Sequence, residues 1–192
     1  MDEIQEKKVD IRLKVDEVLS RFPAGEIRKK ARALQGRLFD FANFLEAKIV
    51  MLYLSSQYPV DAREIIQNTL ELNKIVVLPV FGPELKMFKI DNLNTDTKPT
   101  SCGIFLPVEN RCKQVPIDRV DIAIIPSLAL DEKGGRIGSG DGFYDRLIPK
   151  LPATTRKVAI ALEEQIMPHI PMDSHDKHVD IIITDTRIIY KI

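Results

Sequence analysis

Tryptophan is absent from the 192 residues, and cysteine occurs only as Cys102 and Cys112. Two cysteines ten positions apart, with His169, His175 and His178 clustered elsewhere, make neither a disulfide framework nor a zinc site. No long apolar run exists either. The longest is residues 49–54, far short of the roughly 18 residues of a membrane span. Charge of one sign is also missing: Lys+Arg and Asp+Glu both count 28. That balance argues against non-specific binding to nucleic acid or an acidic membrane, while a local basic cluster stays open. Residues 1–17 are densely charged and carry no apolar signal core, which argues against secretion. The expectation is a cytoplasmic, soluble protein with no nucleic-acid or membrane partner.

Glycine-, serine- or proline-rich linkers, internal repeats and low-complexity tracts are lacking too. At about 150 residues per domain the length predicts one domain, spanning 1–192. Apolar residues make up 44% and charged residues 29%, an ordinary globular composition. In 9–19, Ile11, Val15, Val18 and Leu19 recur at helical spacing, and 20–25 interrupt the pattern. A second helix is predicted over 26–47, with Leu34, Leu38, Phe41 and Leu45 on its apolar side. This pair, within residues 1–48, is expected to pack on the sheet. From residue 48 the period changes. Strands are predicted at 49–54, 74–81, 85–90, 120–125, 157–162 and 179–184, helices at 61–71 and 141–151, and mostly loop at 91–119. Strands separated by helices predict an α/β fold, a doubly wound, mostly parallel sheet flanked by helices. Ligands bind such sheets beyond the carboxyl ends of the strands, which points to the exits after 54, 125 and 162.

Five of the nine glycines, Gly134, Gly135, Gly138, Gly140 and Gly142, fall within nine residues. An even scatter would put fewer than one there. Such a loop, followed by a helix start, lets backbone N–H groups converge on an anion. Arg136 and Arg146 stand beside it to neutralise charge. The bland alternative is a tight turn with no ligand. The spacing GxGxG is not GxGxxG, and no GxxxxGK[ST] occurs, so neither nucleotide fingerprint applies. Asp145 just beyond the loop is a magnesium candidate, or else a partner of Arg146 or a helix cap.

The stretch PSLALDEKGGRIGSGDGFYDRL (126–147) resembles the signature of the 5-formyltetrahydrofolate cyclo-ligase family. VLPV (77–80), LKMFKI (85–90), SCGI (101–104), ALEEQ (161–165) and HDKHVD (175–180) resemble further family segments in the same order. The resemblance spans nearly the whole chain. It implies an ATP- and magnesium-dependent enzyme that converts 5-formyltetrahydrofolate to 5,10-methenyltetrahydrofolate. The formyl oxygen would be phosphorylated to an iminium phosphate, and the neighbouring nitrogen would displace phosphate.

Carried over residue by residue, the resemblance implies an ATP site of Lys8, Arg12, Arg136, Ile137, Gly138, Ser139, Gly140, Asp141, Gly142, Phe143 and Tyr144. Within it, Arg136 and Tyr144 are the candidate catalytic residues. Lys8 and Arg12 at i, i+4 share one helix face. Asp145 and Asp176 would hold the metal. The folate would meet Ser56, Asp61, Leu85, Met87, Phe88 and Lys89, and share Ser139, Gly140, Gly142 and Phe143 with the nucleotide. Asp61 is alternatively the N-cap of the following helix, and half of the 85–89 set is alternatively core. Asp141 departs from the family pattern, because it puts a carboxylate inside the phosphate loop. The partner expected is a small-molecule folate, with the chain a monomer or weak homodimer. Two other readings stay open: a phosphate-binding enzyme of the sugar-phosphate isomerase or coenzyme A transferase type, and a non-catalytic folate- or nucleotide-binding relative.

Overall fold

The computed structural model describes residues 3–191. In chain order it forms α1 (Glu3–Ser20), α2 (Ala24–Phe39), α3 (Ala42–Glu46), β1 (Ile49–Met51), α4 (Ala62–Glu71), β2 (Ile75–Phe81), β3 (Leu85–Ile90) and α5 (Leu93–Asp96). There follow β4 (Thr97–Pro99), β5 (Phe105–Pro107), β6 (Gln114–Val115), β7 (Ile122–Pro126), β8 (Ala129–Leu130) and β9 (Arg136–Ile137). The chain closes with α6 (Phe143–Leu147), β10 (Arg156–Ile160), β11 (Ile181–Ile183) and β12 (Ile188–Tyr190).

Eight strands form the main sheet in the order β12-β11-β10-β7-β1-β2-β3-β6. The five central strands, from β11 to β2, run parallel. Antiparallel strands close both edges: β12 at one, β3 and β6 at the other. The fold is therefore α/β with a mostly parallel sheet, as the sequence pattern predicts. The chain leaves β1 for β2 on one side and later returns to β7 on the other. That reversal makes the β1/β7 boundary the topological switch point, where such sheets take ligands.

Both faces of the sheet are covered, which is why its strands read as continuous apolar runs rather than alternating ones. Val50, Val76, Leu78, Ile124 and Ile160 face one core with Leu34, Leu38, Phe44, Ile65 and Ile66. Met51, Val77, Ala123, Ile125 and Ala159 face the other, with Leu147, Ile148 and Leu151.

The helix predicted over 26–47 is broken. Phe41 adopts an extended backbone (φ −72°, ψ 124°) between α2 and α3. The break lets Phe41 and Phe44 both reach the core, and Phe44 meets the Phe39 ring edge-on at 5.3 Å. Leu45, expected on the apolar side, is instead 56% exposed. The helix predicted over 141–151 is also shorter. After α6 the chain tightens into a 3-10 turn at Ile148–Lys150, where Pro149 has no N–H to continue the α ladder. The stretch 91–119 is not all loop, since α5, the β4–β5 ribbon and β6 lie within it.

The β8–β9 hairpin was not legible as a separate element, and it claims two of the clustered glycines. The buried Asp131 carboxylate accepts from the amides of Lys133 (3.0 Å), Gly135 (2.9 Å) and Ile170 (2.8 Å). Gly134 sits at φ +83°, where a Cβ would come within 2.4 Å of the Val179 carbonyl oxygen. Gly134 and Gly135 therefore shape the hairpin turn, and only Gly138, Gly140 and Gly142 are left to line a ligand site.

Gly134→Ala is expected to lower the unfolding free energy by about 1–3 kcal/mol, from left-handed strain and the carbonyl clash. Gly36→Ala, in α2 with open space around it, should raise it by about 0.5–1 kcal/mol. Urea unfolding of the two variants checks both signs.

Candidate active site

Beyond the carboxyl ends of the central strands lies a polar cleft of about 510 Å³. Three segments build it: the amino-terminal half of α1, the loop 138–142 with the start of α6, and the turn 173–177.

The loop is held from both ends. Arg136, on β9, is 3% exposed and donates from Nη2 to Asp145 Oδ1 at 2.8 Å, across the base of the loop. Its guanidinium carbon lies 5.9 Å from the centre of the Tyr144 ring. Its Nε is buried with no hydrogen-bond partner among the described residues. From α1, Arg12 Nε donates to the Gly138 carbonyl oxygen at 3.0 Å. Gly140 at φ +113° and Gly142 at φ +65° take backbone shapes that side chains resist. The amides of Gly138, Gly140, Asp141 and Gly142 donate to no group among the described residues. The loop is exposed to half-exposed and lines the cleft, so these amides are open to an acceptor that enters it.

Asp141 is tied down locally. Its Oδ1 accepts from the Phe143 amide at 3.1 Å, and its carbonyl accepts from Arg146 Nη1 at 2.8 Å. The carboxylate thus caps the start of α6, while it also faces the cleft.

Lys8 is 5% exposed. Its ammonium donates to Asp176 Oδ2 and, at 3.3 Å, to Asp173 Oδ2. Asp173 also accepts from the His175 amide at 2.7 Å, and its own amide donates to Asp176 Oδ2 at 2.8 Å. Those amide and lysine contacts hold the Asp173 carboxyl below the usual range. Asp145 Oδ1 also accepts from the Lys177 amide at 2.9 Å. Every hydrogen bond of Asp145 thus falls on Oδ1, and the side-chain bonds of Asp176 fall on Oδ2. Each carboxylate keeps one oxygen for another partner. Among the described residues no group of three or more His, Cys, Asp or Glu side chains gathers into a metal cage.

Next to the cleft is a narrow apolar slot of about 100 Å³, lined by Leu54, Leu78, Pro79, Ile104, Phe105 and Leu106. Tyr58, Ser139, Asp141, Phe143 and Tyr144 border both spaces. A third hollow, of about 240 Å³, adjoins the slot and takes in Ser56, Asp61 and Arg63. Asp61 does cap α4, its Oδ1 accepting from the Arg63 amide at 3.0 Å, yet its side chain is 70% exposed to this hollow.

The structure brings Lys8, Arg12, the 136–145 stretch and Asp176 together around one cleft. Leu85, Met87, Phe88 and Lys89 line neither the cleft nor the slot. Pairing of β3 to β2 sets Met87 opposite Pro79 and Phe88 opposite Leu78. Both side chains are buried, at 1% and 4% exposure. Lys89 pairs with Asp91 at 2.7 Å. The slot itself is lined by 104–106, in a stretch whose short strand carries no periodic signal. Gln5, Tyr58, Asp173 and Lys177 also border the cleft and were not singled out in the sequence. Gln5 had a signal, since it shares the helix face of Lys8 and Arg12. The ALEEQ segment acts at a distance. Gln165 Nε2 donates to the carbonyls of Ser127 (3.0 Å) and Leu128 (2.9 Å), tying the exit of β10 to the hairpin that carries Arg136.

Fold and cleft together define an α/β enzyme class with a glycine loop beside a cleft at the ligand end of the sheet and an apolar slot next to it. More narrowly, the chain belongs to the 5-formyltetrahydrofolate cyclo-ligase family, whose family model matches residues 4–185. It is 25% identical to the 5-formyltetrahydrofolate cyclo-ligase of Mus musculus, over 94% of each chain. It is 27% identical to the Haemophilus influenzae enzyme of the same name, over 89% of this chain and 94% of that one. The solved 5,10-methenyltetrahydrofolate synthetase of Aquifex aeolicus superposes with a TM-score of 0.82 at 28% identity, covering 96% of this chain and 92% of that one. The Mycoplasma pneumoniae synthetase shares the fold, with a TM-score of 0.71 at 19% identity over 96% of this chain and 99% of that one.

Burial pushes the phenols of Tyr53, Tyr58 and Tyr144 above the usual tyrosine range, and at Tyr58 hydrogen bonding with Ser139 pulls partly the other way. A group with a raised folded-state pKa stabilises the fold below its unfolded pKa and loses that contribution as pH rises. The tyrosine contribution to the unfolding free energy should therefore be flat between about pH 7 and 9. It should fall above about pH 10, where unfolded tyrosines ionise first. Denaturant titrations across that range, read beside tyrosinate absorbance, test this.

Proposed function

We propose that the chain catalyses the ATP-dependent cyclisation of 5-formyltetrahydrofolate to 5,10-methenyltetrahydrofolate, with release of ADP and phosphate. The observation that carries this reading is the set of unpaired amides at Gly138, Gly140, Asp141 and Gly142, beside the apolar slot. An amide set of that kind suits a polyphosphate, and the slot suits a flat aromatic body. The residues that border both spaces stand where the two would react.

In the proposed reaction the formyl oxygen attacks the γ-phosphorus and ADP leaves. The second folate nitrogen then attacks the formyl carbon of the resulting iminium phosphate. The carbon–oxygen bond breaks, and phosphate departs with the former formyl oxygen and the proton from that nitrogen. No protein nucleophile is required. The work is alignment and charge neutralisation. The loop amides and Arg136 would hold the phosphoryl oxygens, with Arg12 bracing the loop through the Gly138 carbonyl. Lys8 would meet the polyphosphate from α1. Tyr144 stays a neutral phenol and would form the wall between the two ligands. Magnesium fits the donor set: it usually takes one or two carboxylates and completes its shell with phosphate oxygens and water. Asp145 and Asp176, each with one uncommitted oxygen, would hold it, and its chemistry there is neutralisation of phosphate charge. Asp61 and Ser56 would border the polar end of the folate.

Asp145→Asn keeps an oxygen to accept from Arg136 and Lys177 but removes the charge. It should lower kcat by about tenfold or more, equivalent to roughly 1.4 kcal/mol, and raise the magnesium needed for half-maximal rate. Unchanged kinetics in a magnesium titration would assign Asp145 to loop bracing alone. Asp141→Asn keeps the Phe143 cap and should lower the KM for ATP by about two- to fivefold, because one repulsive charge is gone. A higher KM would mean that Asp141 helps to hold the cation.

A further inference from the structure

Among the described residues, Tyr58 is the one that borders the phosphate cleft, the apolar slot and the Asp61 hollow alike. Its hydroxyl donates to Ser139 Oγ at 3.4 Å, across the mouth of the glycine loop. A Cβ at Gly138 would lie 3.8 Å from the same hydroxyl. Its ring meets Tyr53 edge-on, with centroids 5.5 Å apart at 67°. Tyr53 is itself fixed, donating to the Val60 carbonyl at 3.0 Å. The loop that carries Tyr58 is braced on both sides. Gln57 donates from its amide to Ser55 Oγ (3.1 Å) and from Nε2 to the Cys102 carbonyl (3.1 Å), and the Ser56 amide donates to the Gly103 carbonyl (2.9 Å). Pro59 follows directly, and the helical region is disfavoured for a residue before proline. Tyr58 is thus held across the junction of the spaces.

We propose that Tyr58 is the seal between the two ligand sites, a positioning residue that keeps water from the γ-phosphoryl group so that phosphoryl transfer stays coupled to ring closure. This inference rests on the cyclisation reading above. The chemistry makes a seal necessary. A formyl oxygen is a neutral, weak nucleophile, and water competes for the same phosphorus. Attack by water breaks the bond from the γ-phosphorus to the bridging oxygen, and gives ADP, phosphate and a proton with no change in the folate. Excluding water from the junction is a recognised way to suppress such a side reaction. In this structure Tyr58 borders that junction together with Ser139, Asp141, Phe143 and Tyr144, and of these it alone also borders the Asp61 hollow.

The experiment compares wild type, Tyr58→Phe, Tyr58→Leu and Tyr58→Ala, supplied with ATP, magnesium and 5-formyltetrahydrofolate. Phosphate release and the near-ultraviolet absorbance of methenyl product are followed in the same reaction. Wild type and Tyr58→Phe, which keeps the ring, should release one phosphate per methenyl formed. Tyr58→Ala should raise that ratio at least about twofold. Tyr58→Leu folds with apolar bulk but does not reach Ser139, and it should raise the ratio too, which covers the case of an unfolded alanine variant. A ratio of one in every folded variant overturns the seal while leaving the cyclisation reading intact. Wild type that forms no methenyl product overturns the cyclisation reading, and the seal with it.

Discussion

A guanidinium buried to 3% exposure is the constraint around which this site is organised. Moving such a charge out of water costs several kcal/mol unless it is paired and hydrogen-bonded. Arg136 has five N–H donors in a fixed fork, and the protein meets them with one carboxylate, Asp145, at 2.8 Å. The Nε is left buried without a hydrogen-bond partner among the described residues. The Arg136–Asp145 pair closes the base of the 138–142 loop. It therefore sets both where the loop amides lie and how much unanswered positive potential remains beneath them. A loop of three glycines has little shape of its own, because glycine loses more conformational freedom on ordering than any other residue. Its form is imposed by this pair from below and by Arg12 from above.

Much of the scaffold around that pair could be read from the residues. The apolar runs at 74–81, 120–125 and 157–162 mark strands buried on both faces, and their alternation with helices foretells the parallel sheet and its ligand end. The glycine loop and its arginines follow from spacing and charge, whereas the Lys8/Arg12 pair on α1 comes only through the family resemblance. What escaped was decided by contacts between distant segments. The break at Phe41 exists because two phenylalanines seek one core, which no helical period expresses. Gly134 answers to the Val179 carbonyl, 45 positions away. Met87 and Phe88 look like a ligand wall in an alternating strand, yet both are buried by pairing with β2. Tyr58 and Asp173 belong to no motif. They matter because β1 and the turn before β11 end at the same edge of the sheet.

The charges that line the cleft bear on how a chain of zero net charge would receive the polyanion of the proposed reaction. Lys8, Arg12, Arg136, Arg146 and Lys177 face Asp141, Asp145, Asp173 and Asp176, a surplus of one positive charge. Most of these groups are already engaged with each other. Lys8 is shared by two aspartates, and Arg136 is held by Asp145. Such pairing fixes side chains in place before any ligand arrives, which is how a site avoids reorganisation during reaction. It also limits the net attraction the protein can offer. A nucleoside triphosphate carries far more negative charge than a single positive surplus offsets. A divalent cation between the phosphates and the uncommitted oxygens of Asp145 and Asp176 would supply the difference. The same carboxylates that look repulsive to phosphate thus become favourable once a cation sits between them. On the proposed function, that would be the physical reason for acidic side chains beside the glycine loop.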